Sequence, residues 1–258
     1  MIRRVLLAAI LAGLAAGFVL GVIQHVRLTP LIIHAEQFET AGGHDHGAAA
    51  PEMSAQGTQG AEAASVTGHS HGTTEQSTAG EHVHDANAWA PQDGWERTFY
   101  TTVTAMVTAA GFALLMTGMS FLAGIPIKRE NGLVWGLCGF IAVSLAPAIG
   151  LPPELPGMPA AGVVARQGWW LGTILCTGLA IWLVVASKWQ WRLAGAALLT
   201  LAPHVIGAPR PPHEDSAVPA TLAAEFVTSS LGANLVMWLL IGVFLAIALK
   251  PHEEATRT

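Results

Sequence analysis

Three pairs of histidines, each separated by one residue, stand in a single polar stretch: His44-Asp45-His46, His69-Ser70-His71 and His82-Val83-His84. In an extended chain alternate side chains share a face, so each pair offers two imidazoles to one ion. Imidazole is a common ligand of borderline divalent metals. Affinity at such a pair favours copper, nickel and zinc over cobalt and manganese, so the pairs bind metal without choosing it. Soft ligands suited to copper(I) are missing, since Met53 is the only sulfur-bearing side chain from residue 41 to 88. The plain alternative is a polar linker whose histidines are incidental.

A second set of ionisable groups lies close to strongly apolar sequence, where charge is costly and usually functional. His25, Arg27, His34, Glu36 and Glu39 follow the first apolar run, and Glu154 sits in Leu-Pro-Pro-Glu-Leu-Pro. His204, His213, Glu214, Asp215 and Glu225 cluster toward the C-terminal part. From these, His34, Glu36, Glu154, His204, His213 and Glu225 are the expected metal ligands, because mixed imidazole and carboxylate suits octahedral cobalt, nickel or zinc. The competing reading makes Glu36 or Glu225 a counter-charge for Arg27, Arg166 or Arg210. Catalysis has no such support: the chain contains no nucleophile elbow, HExxH helix or G-x-x-x-x-G-K-[ST] loop, so neither an enzyme nor a P-loop ATPase is expected.

The elements that must hold these groups are membrane helices. Of 258 residues 52% are hydrophobic and 11% charged, with a mean hydropathy of +0.48, against roughly a quarter charged in a soluble domain. Six apolar runs approach the ~20 residues needed to cross a bilayer: Val5–Ile23, Thr101–Ala123, Leu133–Ile149, Trp170–Ala186, Leu193–Ala208 and Thr228–Leu249. The fifth is short and contains Pro203, so five spans is the alternative. The first, preceded by Arg3 and Arg4, is expected to be a retained helix rather than a signal peptide. Its Gly13, Gly17 and Gly21 make a small-residue packing face. Cys138 and Cys176 both lie in apolar runs, and they, like Met116 and Met119, are expected to pack in the core.

Counting basic residues on alternate sides sets the topology. Arg3, Arg4, Lys128, Arg129, Lys188, Arg192, Lys250 and Arg257 share one side; Arg27, Arg97, Arg166 and Arg210 share the other. Both termini are therefore expected in the cytoplasm and the histidine pairs outside, in the periplasm of a Gram-negative cell. Fourteen of seventeen carboxylates join the outer side, a formal balance of minus ten there. Such a face concentrates cations.

The chain divides into a first helix with its flank (1–40), a loop poor in bulky apolar residues and expected to be disordered (41–88), and a five-helix membrane domain (89–258). The stretch from Ala146 to Arg166 holds Pro147, Pro152, Pro153, Pro156 and Pro159, which forbid regular helix and predict a rigid irregular turn. With the second Pro-rich stretch, Pro203–Pro219, it is placed at the mouth of a pathway, stiff connectors being the alternative.

Several of these segments resemble one family. Thr29-Pro-Leu-Ile-Ile-His-Ala-Glu36, Trp89-Ala-Pro-Gln-Asp-Gly-Trp-Glu-Arg97, Leu145-Ala-Pro-Ala-Ile-Gly-Leu-Pro-Pro-Glu-Leu-Pro-Gly157, Arg166-Gln-Gly-Trp-Trp170 and Leu201-Ala-Pro-His-Val-Ile-Gly-Ala-Pro209 are similar to the CbtA family of predicted cobalt transporter subunits. The resemblance covers most of the chain outside residues 40–88. It implies cobalt uptake linked to cobalamin synthesis, a small histidine-bearing membrane partner of the CbtB type, and five spans. The function expected is thus a subunit of a divalent-metal uptake system, cobalt first, with nickel or zinc as alternatives. A membrane-anchored metal buffer or sensor that does not conduct is the rival. Lipid is the other partner; no nucleic acid and no bound cofactor are expected. An inside-negative potential favours entry of a divalent cation by roughly 4 to 5 kcal/mol per 100 mV, enough for passive or partner-assisted import.

Overall fold

The computed structural model describes residues 2–42, 91–92, 94–213 and 215–249; the histidine pairs His44/His46, His69/His71 and His82/His84, with Met53, Trp89 and Glu214, lie outside them. Among the described residues every regular element is helical, as a bilayer demands of chain that must satisfy its own backbone hydrogen bonds. Helix α1 (Ile2–Ile23) continues through a π-helical turn (Gln24–Leu28) into α2 (Thr29–Gly42). Then come α3 (Trp95–Ala123), α4 (Gly132–Phe140), a second π turn (Ile141–Leu145), α5 (Ala146–Gly150), α6 (Val163–Ala186), α7 (Arg192–Ile206) and α8 (Ala220–Ala248).

Five of these rods are long and apolar enough to span a membrane: residues 2–38, 95–123, 132–150, 163–186 and 220–248. The fifth apolar run of the sequence forms α7, a helix of 15 residues, about 22 Å long at 1.5 Å per residue and so short of a ~30 Å hydrocarbon core. It nevertheless runs antiparallel to α6. Gly195 near its start abuts Leu183 and Trp189, and at its far end the Pro203 carbonyl accepts a hydrogen bond from Trp169 Nε1 at 3.1 Å. The start of α1, the end of α3 and the end of α8 line one cavity, so the described chain begins and ends at the same end of the bundle. Arg3, Arg4, Lys128, Arg129, Lys188 and Arg192 gather at this basic end, and the Pro-rich segments at the opposite one, the loop end.

Two glycine seams hold the bundle. The face of Gly13, Gly17 and Gly21 lies so close to α3 that any Cβ there would collide with Ala110, Met106 or Thr102. On the other side, Gly132 and Gly136 of α4 lie against Gly242 and Trp238 of α8; a Cβ on Gly136 would stand 2.5 Å from the Trp238 carbonyl oxygen. In lipid, where apolar burial between helices gains little, such close backbone approach supplies the van der Waals attraction that packs them. Between the seams, Met237, Ile241 and Leu245 of α8 are fully buried.

Both π turns precede a proline. Pro30 and Pro147 have no N–H to give the preceding turn, and the widened turn absorbs the defect: Thr29 N–H reaches the Gln24 carbonyl, and Ala146 N–H that of Ile141. His25, Arg27, His34 and Glu36 consequently ride on a continuing rod, not on a loop leaving the first helix. The stretch from Ala146 to Arg166 is less irregular than its prolines predict. Pro147 sits in the first turn of α5, where proline is tolerated, and α6 already begins at Val163. Only 151–162 is without helix.

Candidate functional site

At the loop end two of the candidate ligands, Glu36 and Glu154, are paired with arginines. Glu36 of α2 meets Arg97 of α3, with Oε1 accepting from Nη2 at 2.6 Å; this ties the rod beyond the π turn to the start of α3. Beside it the Thr98 hydroxyl stands 3.2 Å from His25 Nδ1. Glu154 in the Pro-rich turn meets Arg166 of α6, Oε2 to Nη2, at 2.7 Å, with both side chains part-buried. Glu36 is therefore a counter-charge, but for Arg97 rather than for Arg27, Arg166 or Arg210.

The remaining candidates are dispersed. His204, in the last turn of α7, stacks edge-on against Trp169 at 5.8 Å between ring centroids, and its buried Nε2 has no hydrogen-bond partner. His34 is exposed and lies against the Phe38 ring at 5.6 Å. His213 is exposed in the segment after α7, and Glu225 is exposed within the first turns of α8. Among the described residues no three His, Cys, Asp or Glu side chains come together as a metal site.

What the fold does build at this end is a pair of cavities that meet at one residue. The first, about 480 Å³, descends from Pro147, Pro152, Pro153, Arg166 and Trp170 to Ser144 and Asn234. The second, about 400 Å³, runs between α1, α3 and α8 past Thr101, Thr104 and Thr108 to Gln24 and Asn234. Asn234 is the midpoint of α8 (Ala220–Ala248) and lines both. Its Nδ2 donates to the Ser230 carbonyl at 2.9 Å, while Ser144 Oγ accepts from Trp238 Nε1 at 3.2 Å. Phe112 and Met237 line the depth of the second cavity, Phe112 stacks on Trp238 at 4.8 Å, and the buried Met237, Ile241 and Leu245 follow toward the basic end. Two further cavities open at the basic end, near Thr117 and Ser120. Water-sized space thus enters from each end and stops at an apolar layer.

Sequence reasoning passed over Gln24, Ser144, Ser230 and Asn234 because it looked for charge and imidazole. The signal was present: Asn234 is a carboxamide inside an apolar run, Thr228–Leu249, and a polar side chain at membrane depth asks for a reason.

An all-helical, multi-pass membrane protein with polar cavities entering its bundle is the class this architecture defines. The chain belongs to the CbtA family, described as "Probable cobalt transporter subunit (CbtA)", which it matches over residues 2–250. No curated protein and no solved structure proved similar to it.

Proposed function

We propose that the chain is the membrane subunit of a divalent-metal uptake system, with cobalt as the cargo and nickel or zinc as competitors. It lies in the inner membrane with both termini in the cytoplasm and works with a small membrane partner of the CbtB type. The family match over 2–250 carries this reading. Six basic residues at one end of the bundle, Arg3, Arg4, Lys128, Arg129, Lys188 and Arg192, support the orientation. The histidine pairs of residues 44–84 face the periplasm and collect the ion. Outer-face His204, His213 and Glu225 pass it to the cavity that descends from the Pro-rich turn, at whose mouth Glu154 offsets the charge of Arg166.

Two expected results test this division of labour. Deleting residues 41–88 raises the metal concentration at half-maximal uptake and leaves the maximal rate unchanged, because a collecting loop acts only on local concentration. Uptake assays with cobalt, nickel and zinc over a concentration series read it; loss of the maximal rate would put the loop inside the pathway. His204→Ala lowers cobalt uptake sharply, since its Nε2, buried at the outer end of α7, has no hydrogen-bond partner and can be offered to the ion. Unchanged uptake removes His204 from the route.

A further inference from the structure

We propose that Asn234 and Ser230, one turn apart at the middle of α8, with Gln24 nearer the loop end of the same cavity, mark out a transit path of uncharged oxygens for a partly dehydrated divalent cation, a proposal that rests on the uptake reading above. Two atoms point to it first. Gln24 Oε1 and Ser230 Oγ are buried, and neither has a hydrogen-bond partner; Ser230 is only 5% exposed. A helical serine ordinarily hydrogen-bonds the carbonyl one turn back, and an amide oxygen in a membrane bundle ordinarily finds a donor. Acceptors left open at this depth suit an electron-pair acceptor such as a cation.

Asn234 supplies the third oxygen. Its nitrogen is engaged with the Ser230 carbonyl, so the amide oxygen is the atom available for ligation, and the residue lies where the two loop-end cavities meet. Along the second cavity the side chains of Thr101, Thr104 and Thr108 descend one face of α3 toward the same depth. That cavity has no Lys, Arg, Asp or Glu in its lining, and the one charged residue lining the first, Arg166, is paired with Glu154. A cation entering here meets oxygen dipoles and no unpaired positive charge.

The neutrality of the set fits passage rather than storage. Conduction needs binding strong enough to admit the ion and weak enough to release it. Cobalt(II) and its neighbours accept six-fold oxygen and nitrogen coordination, which one or two protein oxygens at a time and retained water complete. The cavity has room for an ion that keeps part of its shell. Both proline-associated π turns contact α8, and π turns recur at functional sites because they widen the helix and free backbone groups.

The test is cobalt(II) uptake by cells in which the native copy of the chain is replaced by Gln24→Leu, Asn234→Leu, Asn234→Asp or Gly232→Ala, with a strain lacking the chain as background. Thermal melting of each purified full-length variant checks folding. Each leucine variant is expected to lower the maximal rate about fivefold, the scale of one lost ion–dipole contact, at a melting temperature close to that of the unaltered chain. Asn234→Asp is expected to lower both the half-saturating concentration and the maximal rate, because a carboxylate holds the ion and releases it slowly. Gly232→Ala, on the same helix with open space around it, should match the unaltered chain. Leucine variants that transport normally, or an aspartate variant that slows uptake with an unchanged half-saturating concentration, overturn the site and leave the uptake reading standing. If cells with the unaltered chain take up no more cobalt than the background strain, the uptake reading fails and the site with it.

Discussion

Gly242→Leu leaves no monodisperse protein in detergent extracts, whereas Gly232→Leu on the same helix is recovered like the unaltered chain. At Gly242 the backbone of α8 crosses that of α4 so closely that a first side-chain carbon would collide with the Gly132 carbonyl oxygen and stand 2.9 Å from the Gly136 nitrogen. Neither neighbour can move aside, since both are helix backbone. Overpacking a soluble core by a methylene costs about 1 to 3 kcal/mol. Here a whole isobutyl group meets main chain, so α4 and α8 must separate. That separation would also undo the positions of Trp238, Gly136 and Gly139, which pack in the same seam. Gly232 has nothing within reach of an added carbon, and Gly232→Ala should raise the melting temperature slightly, as alanine is favoured over glycine in a helix by about 1 kcal/mol. Fluorescence-detected size exclusion and melting curves measure both. Recovery of well-folded Gly242→Leu would mean that α4 and α8 are not apposed in this way.

Glu154→Gln lowers metal uptake about tenfold, and adding Arg166→Gln restores most of it. In the folded chain the carboxylate sits 2.7 Å from the Arg166 guanidinium, and Arg166 lines the cavity below the Pro-rich turn. Remove the carboxylate's charge and the mouth presents an uncompensated cation to an approaching divalent ion. At about 6 Å in water the repulsion is about 1.4 kcal/mol, a factor of roughly ten in local concentration. The double variant has neither charge and so no barrier of this kind. The same comparison discriminates roles for Glu154: were it itself the essential ligand, neutralising Arg166 would restore nothing. Raising the salt concentration should soften the single variant's defect, because the part-buried guanidinium still faces a cavity open to water and its charge is partly screened.

Much of this was legible in the chain. Apolar runs of membrane length, basic residues sorted to alternate sides and the Gly13, Gly17, Gly21 spacing follow from local composition, and the bundle has its helices, its basic end and its glycine seam accordingly. The fifth apolar run is the exception: α7 has 15 residues, too few to cross a hydrocarbon core, and it packs against α6 between Leu183 and Trp169 through Gly195 and Pro203. The prolines of 146–166 stop helix only over 151–162, because Pro147 falls where a first turn tolerates it.

By itself the sequence determined the class of protein, the character of each end and the chemistry on offer: imidazole pairs in one polar segment and carboxylates beside the helices. Those are properties of neighbouring residues, and neighbours are what a sequence displays. Tertiary structure alone decided how the carboxylates are used, since Glu36 finds Arg97 from 61 residues away and Glu154 finds Arg166 across the Pro-rich turn. It also decided that Gln24 and Asn234, from opposite parts of the chain, would line one cavity. No periodicity announces such a meeting, because an uncharged amide leaves the hydropathy of its run almost unchanged. Its significance arises only when the apolar packing around it closes and leaves its oxygen at membrane depth without a donor.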